Sequence, residues 1–334
     1  MLLQPLSQQA AGWRRATMAR PRMPPACAAQ AHPVMLPNGQ PAPEIRLIVT
    51  DVDGTLLNSK QELTPRVEAA VKAAAAAGVP LVVATGKARG PWVREVFPRI
   101  DMDMPGVFLQ GLLVCDGQGG TLWQRPMEDA VVAQCLQLAD SYGVTLTAYC
   151  GDRILAASLD EHTERLKFYK EPTVEAVGHL SGILGQVPVH KLIFMAPQTK
   201  IDEMRPAVEA ALAGSASLTT ALTGMLEVLP LGASKGSGVA WLLSHLDADA
   251  SHIMALGDGE NDVEMLQLSG LAVAMGNAGP VAKAAAHWVA PRNDEDGVAA
   301  AIEKFVLAPR GLSLDSSAAV VASTAHGGAA VSGH

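Results

Sequence analysis

The chain has 334 residues, 49% of them hydrophobic, and a formal net charge of -8. That length and apolar content can build a sizeable core and two domains. The acidic balance lacks the basic stripe of a nucleic-acid binder, and no apolar run approaches the ~18 residues of a membrane span.

Residues 1–43 hold no Asp, Glu or Lys, yet carry Arg14, Arg15, Arg20 and Arg22 in an alanine- and proline-rich setting. An acid-free, arginine-bearing leader is similar to an organelle transit peptide. Chloroplast is the leading destination, with mitochondrion as the alternative, or the cytoplasm if the segment is only a disordered extension. The folded part is expected from Glu44 to Pro309, followed by an Ala/Gly/Ser-rich disordered tail over residues 310–334. Cys27, Cys115, Cys135 and Cys150 form no C-x-x-C pair and no zinc spacing, so reduced, mostly buried thiols are expected.

Arg46 to Thr50 is a short β-branched run, the mark of a buried parallel strand. Thr64 and Pro65 then open a helix that Gly78 ends. Val79 to Ala84 reads as the second strand and Val107 to Gln110 as a third. Strand, helix and strand in alternation imply a parallel sheet with right-handed crossovers. From Trp123 to Leu229 the texture changes. It shows a helix over Glu128 to Tyr142, a hairpin over Val144 to Cys150 and Arg153 to Ala157, a strand from His190 to Ala196, a helix from Ile201 to Leu212, and two short strands over Leu218 to Leu229. This predicts an α+β unit, residues 123–229, inserted into an α/β core of residues 44–122 and 230–309. The parallel grammar returns with a strand over Ser251 to Leu256, another over Leu271 to Met275, a last one over His287 to Ala290, and a closing helix from Gly297 to Val306.

Four segments carry chemistry: Asp51-Val52-Asp53-Gly54-Thr55, Ala84-Thr85-Gly86, Ser234-Lys235-Gly236, and Gly257-Asp258-Gly259-Glu260-Asn261-Asp262. Ligands of such sheets bind beyond the carboxyl ends of the strands, where Asp51 and Thr85 fall. A carboxylate attacking a phosphoryl group repels its target, so a hard, oxygen-seeking cation such as Mg2+ is needed between them. Asp51 is the candidate nucleophile. The metal ligands are Asp51, Asp258 and Asp262 with the backbone carbonyl of Asp53. Asp53 can protonate the leaving alkoxide and then deprotonate the attacking water. Thr85 and the Gly86 amide can hold a phosphate oxygen, and Lys235 supplies a second positive charge.

These segments, in this order, resemble the haloacid dehalogenase superfamily of phosphatases, in its Cof-like branch. Ala274-Met275-Gly276-Asn277-Ala278 and Asn293-Asp294-Glu295-Asp296-Gly297-Val298 extend the resemblance, which covers about residues 45–306. It implies a Rossmann-like parallel core with an inserted cap, Mg2+ dependence and an aspartyl-phosphate intermediate, with Asp51, Asp53, Thr85, Lys235, Asp258 and Asp262 in the roles above. Three positions depart from the family pattern: Lys87 where arginine is usual, Gln110-Gly111-Leu112 for Asn-Gly-Ala, and Thr50 for an aromatic. A lysine keeps the charge but loses bidentate recognition.

Lys87, Gln110, Asn261 and Lys191 are the candidates to touch substrate or to support the groups that do, with Lys191 on a strand leading towards the cap interior. The other cap cations, Arg153, Arg165, Lys167 and Lys170, belong with Lys191 to the set expected to hold the specificity groups, although each taken singly reads as solvated surface. His190, His287, Asn277 and Asn293 read as structural, and Trp123, Trp241 and Trp288 as packing. The expected partner is a small phosphorylated metabolite, a sugar phosphate ahead of flavin mononucleotide or pyridoxal phosphate, with neither nucleic acid nor membrane, in a monomer or homodimer. A phosphomutase and a non-catalytic scaffold are the competing readings.

Overall fold

The computed structural model describes residues 34–220 and 222–314. Its strands are, in chain order, β1 (Leu47–Thr50), β2 (Leu81–Val83), β3 (Gly106–Phe108), β4 (Leu113–Cys115), β5 (Thr121–Gln124), β6 (Thr145–Cys150), β7 (Arg153–Ala156), β8 (Val174–Ala176), β9 (Lys191–Met195), β10 (Ala216–Thr219), β11 (Met225–Pro230), β12 (Ile253–Gly257), β13 (Leu271–Ala274) and β14 (Trp288–Val289).

The first sheet is all parallel, in the order β14-β13-β12-β1-β2. A parallel bridge from Ala84 to Val107 carries its edge on to β3, which forms an antiparallel three-stranded sheet with β4 and β5. Successive residues face opposite sides of a strand, and both sides are buried here. Ile48, Val83, Met254, Leu256 and Val273 lie under the helices Pro65–Ala76 and Gly297–Ile302. Leu47, Val49, Val82, Ala255 and Ala272 lie under Lys235–Leu246 and Val263–Leu268. Because both faces need apolar cover, the strands are continuous hydrophobic runs rather than alternating ones. From β1 the chain winds outward to β2 on one side, while β12, β13 and β14 run out on the other. The β1/β12 junction is therefore a topological switch point, where a crevice opens beyond the strand ends.

The second sheet has the order β10-β11-β9-β6-β7-β8. Leu146, Ala148, Leu192, Phe194, Leu226 and Val228 on one face pack against the helices Asp129–Tyr142 and Gln198–Ala211. The opposite face carries Tyr149, Ile154, Ile193, Met195 and Met225, which join the core that runs under the parallel sheet. That face looks down on the crevice.

Several expectations are adjusted. Trp123 and Gln124 pair with β4, so the change of sheet falls after Gln124 rather than at Trp123. Pro230 pairs with Ala216 and closes the second sheet. Folded structure begins before Glu44: Met35 bridges to Pro41, and Leu36 is buried in the core beside Val34 and Ala42. The proline- and alanine-rich composition concealed this strap. Arg310, placed at the start of the expected tail, instead donates to the carbonyls of Val306 at 2.8 Å and Ile45 at 2.7 Å. The leader reading otherwise rests on residues 1–33 and the tail on residues 315–334, which lie outside the described residues. Among the described residues, no helix is long and apolar enough to cross a membrane.

Gly111 shows how closely the site's supports are packed. Its φ is +88°, and a Cβ there would collide with the Ser234 carbonyl at the start of the helix that presents Lys235. Left-handed strain and a backbone clash together should make Gly111→Ala cost about 2–4 kcal/mol. Thermal unfolding would show it, and an unchanged melting temperature would contradict this reading.

Candidate active site

β1 ends at Thr50, so Asp51 emerges at the carboxyl edge of the sheet, 6% exposed, its amide bonded to Leu256 of β12 at 2.9 Å. The chain then turns sharply. Gly54 takes φ +77°, and a side chain there would strike the Asp258 carboxylate. Ser234 caps the next critical helix by accepting from Ser237 N, which sets Lys235 in its first turn.

Lys235 has a fully buried side chain, and its ammonium donates to Asp51 Oδ1 at 2.7 Å and Asp262 Oδ1 at 2.5 Å. Asp258 sits after β12 and accepts from Thr55 Oγ1 at 3.2 Å and Asn277 Nδ2 at 3.2 Å. Oxygens of Asp51, Asp258 and Asp262 all lie within 4.8 Å of one another. Three carboxylates thus crowd together, and one ammonium bonds two of them. Burial pushes the Asp51 carboxyl well above the usual carboxylate range; Lys235 opposes this, while Asp262 and Asp258 add to it. Burial, then Asp262, brings Asp258 up to about 6 against the pull of Lys235. Burial alone would lower Lys235, but Asp262 and Asp51 hold it above the ordinary lysine range. This excess of negative charge, made of hard oxygen donors, fits a divalent cation such as Mg2+.

Asp262 stands in the acidic trio with the other expected ligands, and both its oxygens are also engaged within the protein. One oxygen meets Lys235, and the other accepts from the amides of Asp258 and Gly259, each at 2.9 Å. It orients the ammonium and the Asp258 turn. The Asp53 carboxylate stands apart from the acidic trio, meeting Lys87 Nζ at 3.0 Å.

Thr85 is buried beside the crevice, and its hydroxyl accepts from Lys87 N at 3.1 Å. Gln110 is buried with a left-handed φ of 59°, donates to Glu227 at 3.0 Å and accepts from Asn261 at 3.1 Å. Lys191 is buried too, paired with Glu227 at 2.9 Å. Asp51, Asp53, Thr85, Gly86, Lys87, Gln110, Lys191, Asp258 and Asn261 line one cavity of about 280 Å³, whereas Lys235 and Asp262 stand just behind its wall.

Sequence reasoning missed the cavity's other polar lining: Glu171, Glu227, Tyr149, Tyr169 and Gln61. Glu227 had a signal, being a lone charge inside the apolar run Met225–Pro230. Glu171 had none. Burial brings its carboxyl up to about 7 against the pull of Lys87 and Lys191. Outside the cavity, Arg153 pairs with Glu175, Lys167 with Glu164 and Lys170 with Glu95, while Arg165 donates to the Thr223 carbonyl. His190 bonds Gln124 and Gly151, and burial lowers it to about 4. His287 accepts from the Ala272 amide, and Asn277 and Asn293 hold the carbonyls of Gly54 and Leu57. Trp123 stacks on Trp241, and Trp288 packs edge-on to Phe305. Cys115, Cys135 and Cys150 are unpaired, their thiols pushed up by burial to about 11, 12 and 11.

A parallel sheet with buried carboxylates and one ammonium at its switch point, roofed by a second α+β sheet, defines a capped hydrolase. The chain belongs to the haloacid dehalogenase-like hydrolases, whose family model matches residues 48–302. The solved structure of a haloacid dehalogenase-like hydrolase from Bacteroides thetaiotaomicron superposes with a TM-score of 0.72 at 27% identity, covering 78% of this chain and 99% of that one. HMP-PP phosphatase of Yersinia pseudotuberculosis is 30% identical over 258 residues, 71% of this chain and 86% of that protein. Endoribonuclease YBEY, chloroplastic, of Arabidopsis thaliana is 35% identical over 274 residues, 79% of this chain but 47% of that protein. The chain therefore spans about half the length of that relative.

Proposed function

We propose that this enzyme is a Mg2+-dependent phosphatase that hydrolyses a small organic phosphate monoester through an aspartyl phosphate. The observation that carries the proposal is the Lys235 ammonium held between Asp51 and Asp262, with Asp258 beside them, at the floor of the β1/β12 crevice. In this reading an Asp51 carboxylate oxygen forms a bond to phosphorus as the bond to the leaving oxygen breaks. Asp53, at the cavity wall, gives its proton to that oxygen. It then takes a proton from the water that attacks phosphorus and releases Asp51. Thr85, the Gly86 amide and Lys235 hold the phosphoryl oxygens. Asp51, Asp258 and the Asp53 carbonyl would hold Mg2+, whose charge offsets the repulsion between carboxylate and phosphate.

The cap side of the cavity supports a hydroxyl-rich leaving group. On the cap, the carboxylates of Glu171 and Glu227 and the phenol of Tyr149 stand beside the apolar Leu166, Ile193 and Met225, and each engaged carboxylate oxygen keeps a lone pair for a hydroxyl donor. Carboxylates and amides bond sugar hydroxyls well. The ring surface that a flavin needs is scarce in a chain with 4% aromatic residues.

The full chain should release phosphate with Mg2+ from at least one of a set of sugar, nucleotide, flavin and pyridoxal phosphates, and EDTA should abolish release. Isomerised product without free phosphate would transfer the reading to a mutase. Folded protein that binds Mg2+ yet turns over nothing would sink it.

A further inference from the structure

We infer that Lys191 and Glu171 of the cap are positioning residues that act on the reaction through the loop Gly86 to Ala88, an inference that rests on the phosphatase reading above. Three consecutive residues of that loop each meet a different residue of the cap. Lys191 Nζ donates to the Gly86 carbonyl at 2.8 Å, Lys87 Nζ donates to the Tyr169 carbonyl, and the Ala88 amide donates to Glu171 Oε2 at 3.1 Å. The loop is the one that sets Thr85 and Gly86 towards the phosphate. Through Lys87 it also reaches Asp53, at 3.0 Å.

Lys191 is poorly placed to read substrate itself. Its side chain is 2% exposed, its ammonium is taken up by Glu227 at 2.9 Å and by Gly86, and it lies 4.5 Å from the Tyr149 ring centre. The second oxygen of Glu227 is occupied by Gln110 of the core at 3.0 Å. Desolvating such a pair is costly unless further hydrogen bonds complete it. Here the completing groups, the Gly86 carbonyl and the Gln110 amide, both belong to the core. The pair is satisfied only with the cap seated, and seating it pins the loop. Whatever draws the cap down also shapes the phosphate site, so that closure and catalytic geometry are one equilibrium.

A residue that reads the leaving group matters only to esters large enough to touch it. A positioning residue matters to every phosphate donor. Full-length Lys191→Met and Glu171→Ala would be assayed with acetyl phosphate, which is too small to fill the cap side, and with glucose 6-phosphate. Expected is a common fall in kcat of roughly ten- to a hundredfold on both donors, the scale of a misplaced reacting group, with KM little changed. Glu171→Gln, which keeps an acceptor for the Ala88 amide, should restore most of it. Hydrogen–deuterium exchange over residues 85–88 should speed up in both disruptive variants. If Lys191→Met alone fails to fold, Lys191→Met/Glu227→Gln leaves no unpaired buried charge and serves in its place. Full acetyl phosphate turnover in the disruptive variants, with loss only on the larger ester, would overturn the inference in favour of direct substrate contact. Wild-type protein inert on both donors and on the wider set above would instead count against the phosphatase reading. Exchange at the loop would then decide alone: faster supports the grip, unchanged refutes it.

Discussion

Asp51→Asn is expected to abolish phosphate release while leaving the fold intact and slightly more stable. The chemical loss should be on the order of 10⁶-fold, the scale seen when a nucleophile is removed from a machinery whose parts act together. The stability gain follows from the charge balance. Asp51 is 6% exposed, and burial with two neighbouring carboxylates pushes it well above the usual carboxylate range. An amide of the same shape removes one of three competing negative charges, and its oxygen can still accept from Lys235. A rise of a few degrees in the melting temperature of the metal-free protein is the expected result, because a site poised for function is commonly less stable than its disabled form. The gain should invert with Mg2+, since the wild type keeps the full donor set and is stabilised by mass action, whereas the variant is not. Two melting curves per protein, with and without Mg2+, check this. A variant that melts several degrees below the wild type without metal would show that Asp51 is a structural anchor. Retained turnover would remove it from the chemistry altogether.

Asp51, Thr85, Lys235 and Asp258 are legible in the sequence because each stands at the end of a buried strand or the start of a helix, positions that parallel topology brings to one edge. Local sequence fixes such positions, and the switch point between β1 and β12 assembles them. The cap wall follows another logic. Glu227 lies opposite Ile193 on the neighbouring strand, and Tyr149 opposite Lys191, so their meeting depends on strand register. Glu171 reaches the Ala88 amide from a loop 83 residues away, which no periodicity encodes. The role of Asp262 was half legible. Its place in the Gly-Asp-Gly-Glu-Asn-Asp segment marks it as part of the site, but only the geometry shows both its oxygens engaged by Lys235 and two backbone amides. The Val34 to Ala42 strap was hidden for the opposite reason: its composition looks like linker, and only packing reveals Leu36 in the core.

Lys235→Met is expected to be the most damaging single change in the chain, costing both activity and structure. The Lys235 side chain is 0% exposed and lies 2.7 Å from Asp51 and 2.5 Å from Asp262. Methionine matches the stem in volume but leaves two buried carboxylates facing each other with Asp258 close by. Breaking a buried pair in this way costs about 3–5 kcal/mol, because the orphaned charges are left without compensation. The damage should depend on pH in a definite direction. Without the ammonium, which opposes the rise, the buried Asp51 carboxyl binds its proton still more tightly in the folded protein than in the unfolded chain. Groups whose folded pKa is raised contribute stability at low pH and lose it as the pH rises through the folded value. The deficit relative to wild type should therefore be largest near pH 8 and shrink towards pH 5. Mg2+ should recover part of the stability by supplying positive charge, but little of the turnover, since the proposed mechanism loses the ammonium it assigns to the phosphoryl oxygens. Lys235→Arg should not rescue activity, because a planar fork does not fit a slot closed around a single point charge. Thermal unfolding at several pH values, with and without Mg2+, measures all of this. A Lys235→Met protein as stable as wild type at pH 8 would mean that the ammonium does not offset buried carboxylate charge in the native protein.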